Sequence, residues 1–328
     1  MFLPGNDANS IAACADCIRA GGLLGLPTET VYGLAADADN DTAVAQIYRA
    51  KGRPADHPLI VHVATLDTAM HFACDVPDFA KPLIHAFWPG PLTLILPRRP
   101  GIATAAAGGH ATIGLRCPSH PVALALLQVL NHGNIWGLAA PSANAFGRVS
   151  PTTALHVQNE FGHDLMILDG GACQVGIEST IIDCTRGQPV LLRPGEVTPD
   201  QVSAICGLAV LSKDEIPTLA DAPPNAPGTL ASHYAPRARV RLMKSDDLKS
   251  ALDETNTSMG VWSRVTVETS KVQVLYRPMP EDAASAAQQV FAVLRDFDDL
   301  GVNQIWIETV PNDAQWDAIR DRLQRAAS

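Results

Sequence analysis

The sequence predicts an α/β protein built as a twisted mixed sheet with flanking helices, followed by a smaller α/β unit of Rossmann-like pattern. Three observations lead there. Short apolar runs of β type recur through the first two thirds of the chain, with helical stretches between several of them. A Pro-rich segment, Asp221-Ala222-Pro223-Pro224-Asn225-Ala226-Pro227-Gly228, then breaks the pattern, and strand and helix signals restart after it. The length of 328 residues exceeds one ordinary core and suggests about two domains, and the 47% apolar content supplies material to bury. The expected division is residues 1–207, a linker at 208–238, and a small domain at 239–328.

The elements follow in order. Asn6 or Asn9 can cap a first helix whose Ile11, Ala15 and Ile18 repeat at helical spacing, and Gly21-Gly22 ends it. Leu23–Leu26 reads as a buried strand running into Pro27-Thr28-Glu29-Thr30. Asp41 or Thr42 can cap a helix through Val44, Ile47 and Tyr48. Further β-type runs are Leu59–Val63, Leu92–Leu96, Thr112–Leu115, Ile135–Ala139, Leu165–Leu168, Ser179–Ile182 and Val190–Leu192. Helices are expected near 66–73, 121–130, 152–160 and 199–206. After the linker the pattern reads strand 239–243, helix 246–254, strands 259–262 and 272–276, helix 282–297, strand 304–308 and helix 313–326.

Charge and cysteine content narrow the function. The net charge is −10, and acidic side chains outnumber basic ones on both sides of residue 207. That argues against a large basic face for nucleic acid, though a small basic pocket fits inside an acidic protein. The seven cysteines are an odd number, and Met1–Asp7 lacks the basic and apolar regions of a secretory signal, so the expectation is free thiols in a reducing cytoplasm. Cys14-Ala15-Asp16-Cys17 is a lone pair in a helical pattern, which reads as structural. No apolar run approaches the roughly 18 residues of a membrane helix.

Familiar site motifs are missing. There is no phosphate loop of the G-x-x-x-x-G-K-[ST] form and no G-x-G-x-x-G. Asp37-Ala38-Asp39-Asn40-Asp41 opens like a calcium loop, but Thr42 and Tyr48 stand where Gly and Glu belong, so it reads as a polar helix entry. His57 and His62 have no metal-ligand context. What remains is a series of polar, basic, turn-forming blocks beside apolar strands. They are Pro27-Thr28-Glu29-Thr30-Val31-Tyr32-Gly33-Leu34; Lys51-Gly52-Arg53-Pro54 with His57-Pro58-Leu59-Ile60-Val61-His62; Gly114-Leu115-Arg116-Cys117-Pro118; Pro141-Ser142-Ala143-Asn144; and Ser179-Thr180-Ile181-Ile182-Asp183 with Arg193-Pro194-Gly195. Loops at strand ends are where a rigid sheet presents ligand-binding groups, and Arg, Lys, Ser, Thr and Asn bond phosphate and carboxylate oxygens. Each block alone reads more simply as a turn or a solvated edge; the set in this order does not.

The ordered set resembles the YrdC-like threonylcarbamoyl-AMP synthases over about residues 8–207, and the linker and C-terminal unit resemble the longer, two-domain form of that family. Phe87-Trp88-Pro89-Gly90-Pro91-Leu92 belongs to the same pattern and reads as a wall of the fold. The resemblance implies a YrdC-like sheet and an enzyme, a nucleotidyltransferase. It would convert L-threonine, bicarbonate and ATP into threonylcarbamoyl-AMP and pyrophosphate. The product would pass to downstream tRNA threonylcarbamoyl transferase proteins that complete the threonylcarbamoyladenosine modification. A site for a triphosphate and a dianion needs cations; Lys51, Arg53, Arg116 and Arg193 supply four, and Mg2+ with ATP would supply more, with no protein metal site expected. Catalysis would rest on positioning and charge, with Lys51, Arg53 and Arg116 at the centre.

By the same resemblance, Thr30, His62, Arg116, Ser142 and Ser179 would contact threonine, Arg116 as a fork on its carboxylate. Lys51, Arg53, His57, Asn144, Ser150, Arg193 and Tyr234 would contact ATP, with Thr112 and Thr152 near it. His57 stands where the family pattern has Asn; an imidazole N–H can replace an amide donor. The His233-Tyr234-Ala235-Pro236 end of the linker is kept, while the Met and the basic-Tyr pair expected upstream are absent, so 208–238 reads as a lid whose Tyr234 reaches the site. Two other readings compete. One is a double-stranded RNA or tRNA-binding module, with direct tRNA contact open; the acidic charge weighs against it. The other is a carbamoyltransferase, which would need zinc-type Cys clusters and an acylphosphatase-like segment that this sequence lacks.

Overall fold

In the computed structural model, residues 1–215, 233–254, 258–266 and 274–328 are described. Residues 216–232 of the linker expected at 208–238, with its Pro-rich stretch 221–228, lie outside the described residues, as does the start of the strand expected at 272–276.

Eleven described strands form one sheet: β1 (Phe2–Pro4), β2 (Leu24–Leu26), β3 (Gly33–Asp37), β4 (Ile60–Val63), β5 (Leu92–Pro97), β6 (Thr112–Arg116), β7 (Gly137–Ala139), β8 (Met166–Asp169), β9 (Thr180–Asp183), β10 (Val190–Arg193) and β11 (Leu211–Ser212). Their spatial order is β1-β8-β2-β3-β7-β4-β6-β5-β9-β10-β11. The sheet is mixed: β4 and β6 run parallel, while β2 and β3, β4 and β7, and β5 and β6 are antiparallel. Successive side chains on a strand point to opposite faces. In β4 and β6 that alternation sends Val61, Val63, Ile113 and Leu115 into the main apolar core. The opposite face carries Ile60 and His62, and the register sets His62 beside Arg116. One face of these two strands is therefore core, and the other is available for chemistry.

Four described strands form a second sheet: β12 (Arg239–Met243), β13 (Met259–Ser263), β14 (Val274–Pro278) and β15 (Gln304–Glu308), all parallel, in the order β12-β15-β13-β14. The helix Ala283–Asp299 is capped by the Asp282 carboxylate, which accepts from the Ser285 N–H. It buries Ala286, Ala287, Val290, Phe291, Leu294 and Phe297, a stripe at helical spacing. That stripe shares one apolar cluster with Val31, Val149 and Ile177 of the first unit and with Tyr234. Burying one side chain the size of Phe291 contributes about 1.5–3 kcal/mol. Polar contacts reinforce the seam: Arg295 donates to the Val149 and Ser150 carbonyls and to Glu160, and Arg148 pairs with Asp298. Gly176 is needed here, since its φ is +77° and an added Cβ would lie 2.4 Å from the Gln288 backbone.

Several local expectations are corrected. The first helix is Ala8–Arg19, and its cap is Asp7, neither Asn6 nor Asn9; the Asp7 carboxylate accepts from both the Asn9 and Ser10 N–H groups. The second, Asp41–Lys51, is capped by Asn40, whose side chain reaches the Ala43 N–H, so Asp41 and Thr42 fall inside the helix. The last helix begins at Asp317 after a short 3-10 turn at Ala314–Trp316. Strand β3 and the helix Ala80–Phe87 had no counterpart in the sequence reading.

Candidate active site

A polar-lined cavity opens on the polar face of β4 and β6, the concave kind of place where small molecules bind. Each polar block contributes to its lining. Thr28, Thr30, Val31 and Gly33 come from the turn before β3; Lys51 and Arg53 from the end of the helix Asp41–Lys51; Ile60 and His62 from β4; and Arg116 from β6. Pro141, Ser142 and Asn144 follow β7, Glu178 and Ser179 precede β9, Arg193 ends β10, and His233 and Tyr234 close one side.

Four cations are buried around this space: Lys51, Arg53, Arg116 and Arg193. Lys51 donates to the backbone carbonyls of Ser142 and Asn144. Arg53 donates to the carbonyls of His57 and Pro58, with its guanidinium 5.5 Å from the centre of the Phe146 ring. Arg193 donates to the Ser179 carbonyl and hydroxyl, at 3.0 and 3.1 Å. The acceptors of Lys51 and Arg53 are neutral carbonyls, so their burial is poorly compensated. It lowers Lys51 to about 7 and Arg53 to about 10, and it lowers Arg193 as well. An anion in the cavity would supply the missing counter-charge.

Arg116 is held differently. It donates to the Gly90 carbonyl at 3.2 Å and to the Thr30 hydroxyl at 2.7 Å, and it pairs with Glu29 at 2.7 Å. The Phe87–Leu92 wall thus aims Arg116 through the Gly90 carbonyl. Burial pushes the Glu29 carboxyl up, but the Arg116 charge and hydrogen bond prevail and hold it low. Beside this pair, burial and the Arg116 charge depress His62 to about 3, so its imidazole is neutral.

Among the described residues, four buried polar atoms on cavity-lining residues have neither a hydrogen bond nor an ion pair: His62 Nδ1, Asn144 Oδ1, His233 Nδ1 and the Tyr234 hydroxyl. Buried polar groups are nearly always satisfied, so such a cluster marks where a ligand's polar groups belong. Tyr234 is also held at φ +61°, a left-handed conformation a bulky residue rarely adopts. Its ring packs 5.4 Å from Phe291 and lies under the Arg322 guanidinium at 5.3 Å.

The residues singled out in the sequence distribute as follows. Thr30, Lys51, Arg53, His62, Arg116, Ser142, Asn144, Ser179, Arg193 and Tyr234 all line the cavity. Ser150 stands one layer back, its hydroxyl donating to Glu178. Thr112, at the start of β6, Thr152, bonded to His156, and His57, packed edge-on against Phe146, are outside the lining. Sequence reasoning gave no role to Glu29, Phe146, Glu178 or Arg322. Glu29 and Glu178 lie inside or beside the quoted blocks, so their position was a usable signal. Arg322 sits in Asp-Arg-Leu-Gln-Arg, which reads as an ordinary solvated helix.

No cysteine is among the described residues lining the cavity. All seven are free. Cys117, next to Arg116, is buried, and burial raises its thiol to about 11. It donates to the Ala64 carbonyl.

Comparison with known proteins adds an independent line. The Sua5/YciO/YrdC family model, described as Telomere recombination, matches residues 16–195. A second model, described as Threonylcarbamoyl-AMP synthase, C-terminal domain, matches residues 197–328. The threonylcarbamoyl-AMP synthase of Pyrococcus abyssi is 37% identical, over 97% of this chain and 94% of its own length. That of Bacillus subtilis is 36% identical, over 97% and 92%. A crystal structure of P. abyssi Sua5 complexed with L-threonine superposes with a TM-score of 0.87 at 34% identity, covering 100% of this chain and 97% of that one.

Proposed function

The chain belongs to the Sua5/YciO/YrdC family in its two-domain threonylcarbamoyl-AMP synthase form, and we infer from that premise that its cavity joins L-threonine, bicarbonate and ATP into threonylcarbamoyl-AMP, releasing pyrophosphate. The observation that carries this reading is the ring of four buried cations, Lys51 and Arg53 among them tied to neutral carbonyls, facing a space edged by unpartnered polar atoms. Such a ring is unfavourable when empty and complementary to a polyanion.

The chemistry divides between two ends of the cavity. Around Arg116, we assign Thr30, His62, Ser142 and Ser179 to threonine. The Arg116 guanidinium takes the substrate carboxylate, sharing its charge with Glu29. The threonine nitrogen attacks bicarbonate with loss of water, giving a carbamate. One carbamate oxygen then attacks the α-phosphorus, and the bond to the β-phosphate oxygen breaks as pyrophosphate leaves. Lys51, Arg53, Asn144 and Arg193 receive the phosphates, with Ser150 behind them, and the whole is catalysis by placement and charge. His57, Thr112 and Thr152 are assigned to the outer nucleotide region. Magnesium entering with ATP would add positive charge at the phosphates; the unpartnered Asn144 Oδ1 is an acceptor suited to its hydration shell. Among the described residues no helix is long and apolar enough to cross a membrane. We place the reaction in the cytoplasm, where a tRNA threonylcarbamoyl transferase would consume the product. The segment 208–238 we assign as a lid, with Tyr234 as its contact to the nucleotide.

The deciding experiment supplies ATP, threonine and bicarbonate together and singly. Pyrophosphate release that requires all three, with an adenylate of the expected mass, is the outcome this reading demands. Release without threonine, or a salt-sensitive gel shift of double-stranded RNA with no adenylate, would replace it with another.

A further inference from the structure

Among the described residues lining the cavity, Glu178 is the one acidic side chain. A carboxylate there is a problem for a site that must receive phosphates. It is close enough to Lys51, Arg193 and His233 for its charge to be felt by each. Left alone, it would satisfy those cations itself and repel the incoming nucleotide.

It is not left alone. Arg322, on the C-terminal helix Asp317–Ala326, is fully buried. Its Nε donates to Glu178 Oε2 at 3.0 Å, and a terminal nitrogen donates to the Glu178 carbonyl at 3.3 Å. The same guanidinium donates to the Pro194 carbonyl at 2.9 Å, next to Arg193, and pairs with Asp321 at 2.8 Å. The other Glu178 oxygen accepts from Ser150. Both carboxylate oxygens are therefore engaged by residues that do not line the cavity. Burial pushes the Glu178 carboxyl up, but Arg322, Arg193 and the Ser150 bond outweigh it, so the group stays ionised.

We propose that Arg322 is a positioning residue of the nucleotide site, supplied by the C-terminal unit: it fixes Glu178 against Ser150 and takes up its charge, so that the carboxylate does not neutralise Lys51 and Arg193 where phosphates are received. An apolar contact would dock the two units as well and would spare the cost of desolvating a charge. The buried ion pair makes sense where the partner carboxylate has to be held in one place. The C-terminal unit thus completes the pocket without touching substrate. This proposal rests on the reading of the cavity as a nucleotide site.

The test uses the full chain with α,β-methylene-ATP and magnesium as one probe and L-threonine as the other, both by calorimetry. Arg322→Gln weakens the nucleotide analogue at least about tenfold, ~1.4 kcal/mol, and leaves threonine affinity unchanged. Adding Glu178→Gln to that variant removes the stray charge and restores most of the loss. Equal weakening of both ligands with no recovery in the double variant means a docking role only and overturns the proposal, as does unchanged nucleotide affinity in folded Arg322→Gln. Should Arg322→Gln fail to fold, the double variant, which removes both charges of the pair, decides: near-native nucleotide affinity supports the proposal and its loss refutes it. A native chain that binds threonine but no nucleotide analogue would instead sink the reading of the cavity.

Discussion

The two units of the molecule bury charge in opposite ways. In the first, Lys51 and Arg53 are packed around a cavity with neutral acceptors bound to them, and among the described residues four polar atoms at its edge have neither a hydrogen bond nor an ion pair. In the second, a buried carboxylate and guanidinium pair with each other within the unit, although Arg264 Nε and Trp262 Nε1 have no partner. Glu308, at the end of β15, accepts from the Arg264 and Val265 N–H groups and pairs with the Arg264 side chain at 2.7 Å, beside Trp316. That cluster fills the carboxyl ends of two adjacent parallel strands, β13 and β15, the place where open α/β sheets commonly take a ligand. A parallel sheet therefore does not make a site. Buried charge tied only to neutral acceptors points to a ligand; buried charge paired with its opposite belongs to the fold.

That contrast can be broken at either end. The largest effect is expected from Glu308→Ala. Stranding the Arg264 charge and two N–H groups should cost about 3–5 kcal/mol of stability, read by denaturant melts, while ligand affinities stay unchanged in the folded fraction. A marked loss of nucleotide binding would show that the second unit's buried charge also serves a ligand. Next, Arg116→Ala should weaken threonine roughly ten- to a hundredfold, the loss of a charge-assisted bond of ~1.5–3 kcal/mol, and ATP much less. Unchanged threonine affinity in folded protein would remove Arg116 from the site.

Lys51 sharpens the comparison through pH. Burial, with Arg53 beside it, lowers it to about 7. The protonated form is the one that attracts phosphate, so nucleotide affinity should fall as pH rises above about 7, by up to roughly tenfold per unit. Binding should take up a proton, visible as a buffer-dependent calorimetric heat, and Lys51→Arg should flatten the profile. Without ligand the sign reverses. The unfolded chain keeps this proton up to its ordinary 10.5, so the folded state gains stability as pH climbs from about 7 toward that value.

Smaller still is Tyr234→Phe. It keeps the ring on Phe291 and deletes only the unpartnered hydroxyl, so stability should hold while ATP affinity drops a few-fold, about 0.5–1.5 kcal/mol. A lower melting temperature with native ATP affinity would make Tyr234 a docking residue and not part of a lid. The smallest effect is expected from thiol alkylation under native conditions. Burial raises the Cys14 and Cys117 thiols to about 12 and 11, so activity should survive. A loss that ATP protects against would count against this.

Much of the architecture was legible because burial leaves a pattern. The apolar runs at Leu92–Leu96 and Val190–Leu192 appear as β5 and β10, each slightly longer, and the stripe of Ala286, Val290, Phe291, Leu294 and Phe297 reads as a helix face from spacing alone. β3 was hidden because Gly33-Leu34-Ala35-Ala36-Asp37 has little β propensity; its place between β2 and β7 comes from tertiary pairing. The caps at Asp7 and Asn40 were misplaced by one or two residues, since neighbouring Asn and Asp side chains all have capping chemistry and only backbone geometry chooses. At the site, the basic and hydroxyl residues were found through their ordered blocks. Glu178 and Arg322 were not, because an ion pair between residues 144 positions apart has no local signature.

That separation also has a temporal side. A chain made from its N-terminus extrudes Glu178 long before Arg322. At roughly 5–20 residues per second the gap is about 7–30 s, ample for the eleven-stranded sheet to begin forming. During it the half-made molecule carries a carboxylate among Lys51, Arg53 and Arg193, where it can occupy the nascent pocket in place of a ligand. The emergence of Arg322 would withdraw that plug. A ribosome-bound intermediate stalled ahead of the last helix should therefore be folded yet unable to retain nucleotide.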